Sequence, residues 1–185
     1  MKYTILFLLA AFCLSFTVNA QETPEKKAHK LPVVNVKTLD GKIVSTSTFT
    51  NDPDGDGPGL PKPIILSFWA TWCKPCVSEL TTISDVYEDW QAETGVKLIA
   101  VSIDDSRTSA GVKPLVDGKG WEYEIYLDVN SDFKRAMNIN LVPHTFVLNG
   151  NGEIVWQHTT FSQGAELGLI DIVRKVIAGE PIPQE

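Results

Sequence analysis

Cysteine is scarce in this chain: three in 185 residues, at positions 13, 73 and 76. So few sulfurs exclude a small scaffold held together by disulfides. The three histidines, His29, His144 and His158, are scattered. With no second CxxC and no closely spaced histidine pair, a closed zinc site lacks its ligands. Basic residues are outnumbered, 16 to 23, for a net charge of −7, which argues against a nucleic-acid-binding face. The longest apolar run, residues 5–16, is too short for a membrane span. There is no internal repeat.

What is present begins with a leader. Lys2, that apolar run and Val18-Asn19-Ala20 read as a secretory signal, residues 1–20, cut after Ala20. A lipoprotein signal centred on Cys13 is disfavoured, because the residue before it is Phe12 and not a small one. Without the leader only Cys73 and Cys76 remain, and the rest is long enough for one domain with a core.

Residues 21–30 hold little that packs and read as a flexible lead-in. A β-hairpin follows around Leu39-Asp40-Gly41-Lys42. Residues 50–63, dense in Asp, Gly and Pro, are a loop, and "IILSFWA" is a strand buried on both faces. Apolar residues three or four apart predict a single helix over 74–93. Then come a buried strand at 96–104, a helix at 106–118, a strand from Tyr123, and a short helix capped by Ser131. A hairpin through Asn149-Gly150-Asn151-Gly152 and an amphipathic helix ending at Gly179 complete the chain. The domain at 31–185 is therefore α/β, a mixed sheet with helices on both faces, in which sites form where a buried strand runs into a helix. Cys73 and Cys76 sit at such a point.

Three chemistries suit a CxxC pair. A structural staple closing so short a loop contributes only about 1.9 kcal/mol, against about 3 for fifteen residues. A copper(I) site made of Cys73, Cys76 and one histidine is a second, non-catalytic reading. The third is reversible exchange. The positive end of the helix dipole and unpaired N–H groups favour a thiolate at Cys73, and Lys74 adds positive charge. Pro75 suits the first turn. Cys73 is then expected to be the exposed nucleophile, and Cys76, inside the helix, the buried resolving sulfur.

At these residues "FWATWCKPCVSEL" resembles the active-site stretch of thioredoxin-like proteins. With Glu79 trailing, it is similar to the secreted TlpA/ResA/CcmG branch and its W-C-x-P-C-x-x-E pattern. The likeness extends over a TLDGK hairpin ahead of the motif, "VPHTF" at 142–146, a turn hairpin and the last helix. It implies a thioredoxin-like fold with an N-terminal β-hairpin extension, and a redox disulfide between Cys73 and Cys76. Pro143 would be a cis-proline, and Trp72, Val142 and Pro143 would bind the substrate chain. It also implies a periplasmic thiol–disulfide oxidoreductase without a cofactor, reducing disulfides of exported proteins, among them the haem-site cysteines of apocytochrome c. Electrons would come from an upstream dithiol protein in the membrane. A disulfide oxidase remains an alternative, and a peroxidase would need a single reactive cysteine in a Pro/Thr-rich turn, which is absent.

Two departures stand out. Where thioredoxin has a buried aspartate, this chain has Ser67, and Glu79, on the face of Cys76, is expected to relay its proton instead. Within the long loop, Asp52, Asp54 and Asp56 with Gly57 match the first half of a calcium loop, but the twelfth position is Pro63 and not glutamate.

Overall fold

The computed structural model describes residues 29–50 and 62–183. The expected signal, most of the lead-in and the candidate calcium ligands Asp52, Asp54 and Asp56 lie outside the described residues. The strands are β1 (His29–Lys30), β2 (Asn35–Thr38), β3 (Ile43–Ser45), β4 (Ile64–Trp69), β5 (Lys97–Ser102), β6 (Glu124–Leu127), β7 (His144–Leu148) and β8 (Glu153–Thr159). The helices are α1 (Lys74–Ser84), α2 (Tyr87–Thr94), α3 (Val112–Lys119), α4 (Asp132–Ala136) and α5 (Ala165–Ala178). The strands form one mixed sheet in the order β1-β8-β7-β4-β5-β6-β2-β3.

Every residue of β4 is buried, as its unbroken apolar run requires. It lies parallel to β5 and antiparallel to β7, with Ser67 opposite Thr145 and Leu66 opposite Phe146. Alternation along β4 then decides what each face meets. Phe68 packs on Phe133 of α4, with ring centroids 4.9 Å apart. The other face carries Ser67, which meets Glu79 of α1 through Thr145, and Trp69, which packs on Trp121 with ring centroids 5.2 Å apart. Position 67 is the one place on that face of β4 where a small polar side chain replaces bulk.

The structure departs from the expected elements at three boundaries and one cap. The single helix over 74–93 is two, broken at Asp85 and Val86, where weak helix formers meet and Val86 adopts φ −123°, ψ 0°. The break turns Tyr87 so that its hydroxyl accepts the Leu98 N–H of β5 at 3.0 Å. The helix expected from Ser106 starts as a 3-10 turn at Ser109–Gly111, because Asp105 ties up the N–H of Arg107 in a turn of its own. Ser131 stands at the N-cap of α4 but makes no cap bond. Asp128 does so instead, accepting the N–H groups of Phe133 and Lys134 at 3.1 and 2.7 Å. Finally, His29 and Lys30 are not lead-in but pair with β8 as an edge strand.

Candidate active site

β4 ends at Trp69 and the chain turns into α1 through Ala70, Thr71 and Trp72. Cys73 is the N-cap of α1, and its own N–H donates to the Ala70 carbonyl at 3.1 Å. Its Sγ is bonded to that of Cys76, with Cα atoms 5.3 Å apart. The Cys76 N–H points at Cys73 Sγ, 3.3 Å away. An unpaired helix-end N–H aimed at a sulfur is an arrangement that favours its thiolate.

Exposure falls differently from the sequence expectation. Cys73 is only 6% exposed and Cys76 is fully buried. The order is as expected, but the first sulfur is covered, because it turns toward Cys76 and lies 3.8 Å from the Val142 carbonyl. The exposed group is Trp72, at 60%, and Lys74 and Pro75 are exposed beside it. The Val142–Pro143 peptide bond is cis, and Pro143 is buried behind the half-buried Val142. Leu141, the next residue back, is 69% exposed. An aromatic and an aliphatic side chain thus stand open on the two segments that meet at the disulfide, a signal that periodicity does not contain.

Glu79 is not a solvated helix residue. It is 6% exposed, and its Oε1 accepts the Thr145 hydroxyl at 2.9 Å. The same hydroxyl lies 3.3 Å from that of Ser67, which is fully buried. Serine at 67 thus shares the face into which α1 directs a carboxyl group. Burial pushes Glu79 from its ordinary 4.5 up to about 7, against smaller downward pulls from the Thr145 bond and the charge of His158. Tyr123, whose hydroxyl donates to the Leu80 carbonyl at 3.1 Å, is pushed up as well, by burial and then by the Glu79 charge.

Sequence reasoning missed Asp104. Fully buried at the end of β5, it accepts Thr71 N–H at 2.8 Å, the Thr71 hydroxyl at 2.6 Å and the Ser102 hydroxyl at 2.7 Å. It thereby clamps the turn that leads into Trp72 and Cys73. Of the histidines of the copper reading, two have neighbours away from the cysteine pair. His144 stacks on Phe146 at 4.3 Å and bonds Gln157, and burial lowers its pKa; His158 lies near Glu79. Among the described residues, no three His, Cys, Asp or Glu side chains group at metal-ligand spacing.

A disulfide at the mouth of a helix, set in this sheet beside a cis-proline, defines a thiol–disulfide oxidoreductase of thioredoxin-like fold. The chain belongs to the AhpC/TSA family, whose pattern it matches over residues 28–157. It is 28% identical over 154 residues to the thiol-disulfide oxidoreductase ResA of Oceanobacillus iheyensis, across 81% of this chain and 74% of that protein. ResA of Geobacillus thermodenitrificans is 25% identical over 155 residues, 82% of each chain. Among solved structures, a thioredoxin-like protein from Porphyromonas gingivalis aligns with a TM-score of 0.66 at 49% identity, covering 82% of this chain and 94% of that one. StoA from Bacillus subtilis aligns at 0.57 and 25% identity, covering 76% and 97%.

Proposed function

We propose that this enzyme works outside the cytoplasm, in the periplasm, reducing disulfides of exported proteins through Cys73 and Cys76. The thiolate of Cys73 attacks a substrate disulfide, giving a mixed disulfide and one released thiolate. Cys76 gives its proton to Glu79 and attacks Cys73 Sγ, which closes the protein disulfide and releases the second thiolate. Two electrons pass from the protein to the substrate, and an upstream dithiol protein in the membrane restores the pair. Lys74 and Pro75 tune the first sulfur, through charge and through the geometry of the first helical turn.

The observation that carries this reading is the buried Glu79 carboxyl, at about 7, on the helix that presents the disulfide. A group titrating near neutrality both takes and returns a proton under physiological conditions. Trp72, Val142 and Pro143 receive the substrate as an extended chain, with the Val142 backbone pairing to it and the Trp72 ring against its side chains. The likeness to thiol-disulfide oxidoreductases named ResA supports dithiol exchange. The resemblance of the W-C-x-P-C-x-x-E stretch to the TlpA/ResA/CcmG branch implies the reducing direction and, as substrates, the paired haem-site cysteines of apocytochrome c. Direction rests on potential, and about 30 mV is worth about 1.4 kcal/mol for this two-electron couple.

The test is a Cys76→Ser variant expressed in the native host. It should accumulate mixed disulfides through Cys73, and mass spectrometry would name the captured proteins. Capture of no exported protein carrying a cysteine pair would sink the proposed substrate class.

A further inference from the structure

Behind the cysteines, between α1, β7, β8 and the start of α5, lies a cavity of about 20 Å³. Glu79, Thr145, His158, Phe161, Ala165 and Glu166 are among its walls, and neither cysteine is. One water needs roughly 10–15 Å³ and two to four polar partners. Glu79 supplies one, because its Oε2 has no hydrogen-bond partner among the described residues while Oε1 is held by Thr145. A buried carboxyl oxygen left without a partner is destabilising, and a bound water would relieve that cost. His158 and Glu166 supply polar groups where the lining becomes half-exposed.

We infer that this cavity is a proton outlet, in which one water between Glu79 Oε2 and the His158 imidazole carries the Glu79 proton to solvent on the α5 side. The outlet rests on the proposed relay by Glu79. The groups that face Glu79 are Ser67 on β4, Thr145 on β7, His158 on β8, Glu166 on α5 and Tyr123 just before β6. Of these, only His158 and Glu166 are half-exposed and reach toward solvent; Ser67, Thr145 and Tyr123 are buried. His158 and Glu79 line the same cavity, and the charge of His158 pulls the Glu79 pKa down.

The proton count closes through this route. Cys76–SH and Glu79–COO⁻ become Cys76–S⁻ and Glu79–COOH; the thiolate attacks Cys73 Sγ in the mixed disulfide and expels the second leaving thiolate. Glu79–COOH then passes its proton to the water, the water gives one to His158, and His158⁺ releases it to bulk. Glu79 is reset without the proton crossing the face where the substrate is docked. That separation lets the carboxyl recover while the departing chain still covers the cysteines.

The experiment mixes reduced full-length protein with dithiobis(nitrobenzoate) and follows the release of two thionitrobenzoates by stopped flow. The first release reports attack by Cys73, the second resolution by Cys76. His158→Gln should leave the first release unchanged and slow the second about 5- to 10-fold at pH 7, less than the ~100-fold of a group that takes the proton directly. Added imidazole should restore most of the loss, which a purely structural role for His158 would not allow. Ala165→Leu, which fills the cavity, should slow the same step without imidazole rescue. A second release in His158→Gln equal to wild type, or a slowing that imidazole leaves in place, would overturn the outlet. Glu79→Gln tells the two failures apart. If it slows the second release and His158→Gln does not, the outlet alone fails; if it has no effect, the relay fails as well.

Discussion

Thr145 and Glu79 meet across the interface between β7 and α1, hydroxyl to carboxyl at 2.9 Å, though 66 residues separate them in sequence. This bond lowers the Glu79 pKa against the upward push of burial. Thr145→Val, close in volume but without a donor, should therefore raise Glu79 above about 7 and move the alkaline rise of the resolution rate to higher pH. The stability cost should be about 1–3 kcal/mol, that of a buried acceptor losing its partner. Carbon-detected NMR titration of the Glu79 carboxyl checks the direction; a downward movement would contradict it.

The same carboxyl makes stability depend on pH in a defined sense. Folded, Glu79 holds its proton up to about pH 7, while the unfolded chain releases it near 4.5. The neutral form is favoured in the fold, so this contribution is complete below pH 4.5 and is lost as pH rises through 7. The loss is of order 3 kcal/mol. Glu79→Gln, neutral at every pH, should gain on the wild type by that order between pH 4.5 and 8, as read from urea unfolding of the oxidised proteins. A difference that does not change with pH would refute the assignment.

What the sequence made legible was local. An unbroken apolar run makes a doubly buried strand, Asp-Gly makes a hairpin turn, and a cysteine pair at a strand–helix junction marks chemistry; all three needed only neighbours. Asp104 was invisible because its three donors come from Thr71 and Ser102, and the first joins it only once β4 and β5 lie side by side. The depth of Glu79 was likewise hidden: helical spacing placed it near Cys76, but its burial depends on how closely β7 packs beneath α1. The cover over Cys73 has the same origin, a carbonyl contributed 69 residues downstream. Cap choice failed in one place, α4, because the capping carboxylate of Asp128 sits before the residue that looked like a cap.

Asp104 yields its own prediction. Asp104→Ala leaves the Thr71 and Ser102 donors without their acceptor beside the buried end of β5, which should cost about 3 kcal/mol in urea unfolding. Asp104→Asn keeps one acceptor and should cost roughly half that. Both should shift the equilibrium with glutathione away from the wild-type value, since the turn that aims Cys73 is loosened. Unfolding midpoints and potentials equal to wild type would show that the clamp has no such role.

Trp72 and Leu141 expose apolar surface beside the disulfide. If they receive a substrate chain, Trp72→Ala and Leu141→Ser should each lower kcat/KM for a disulfide-containing protein about 10-fold, the value of about 1.4 kcal/mol of lost contact. Rates with a small aromatic disulfide should stay within twofold for Leu141→Ser. Equal losses with both substrates would place the residue in the chemistry and not in docking.

The most direct measurement is alkylation of the reduced protein by iodoacetamide across pH 4–10, with the modified sulfur located by mass spectrometry. The helix-end sulfur should react first, and its rate should level off well below the ionisation of a free thiol at about 8.5. Modification of Cys76 ahead of Cys73, or a rate at Cys73 still climbing through about pH 8.5, would contradict a nucleophile made by the mouth of α1.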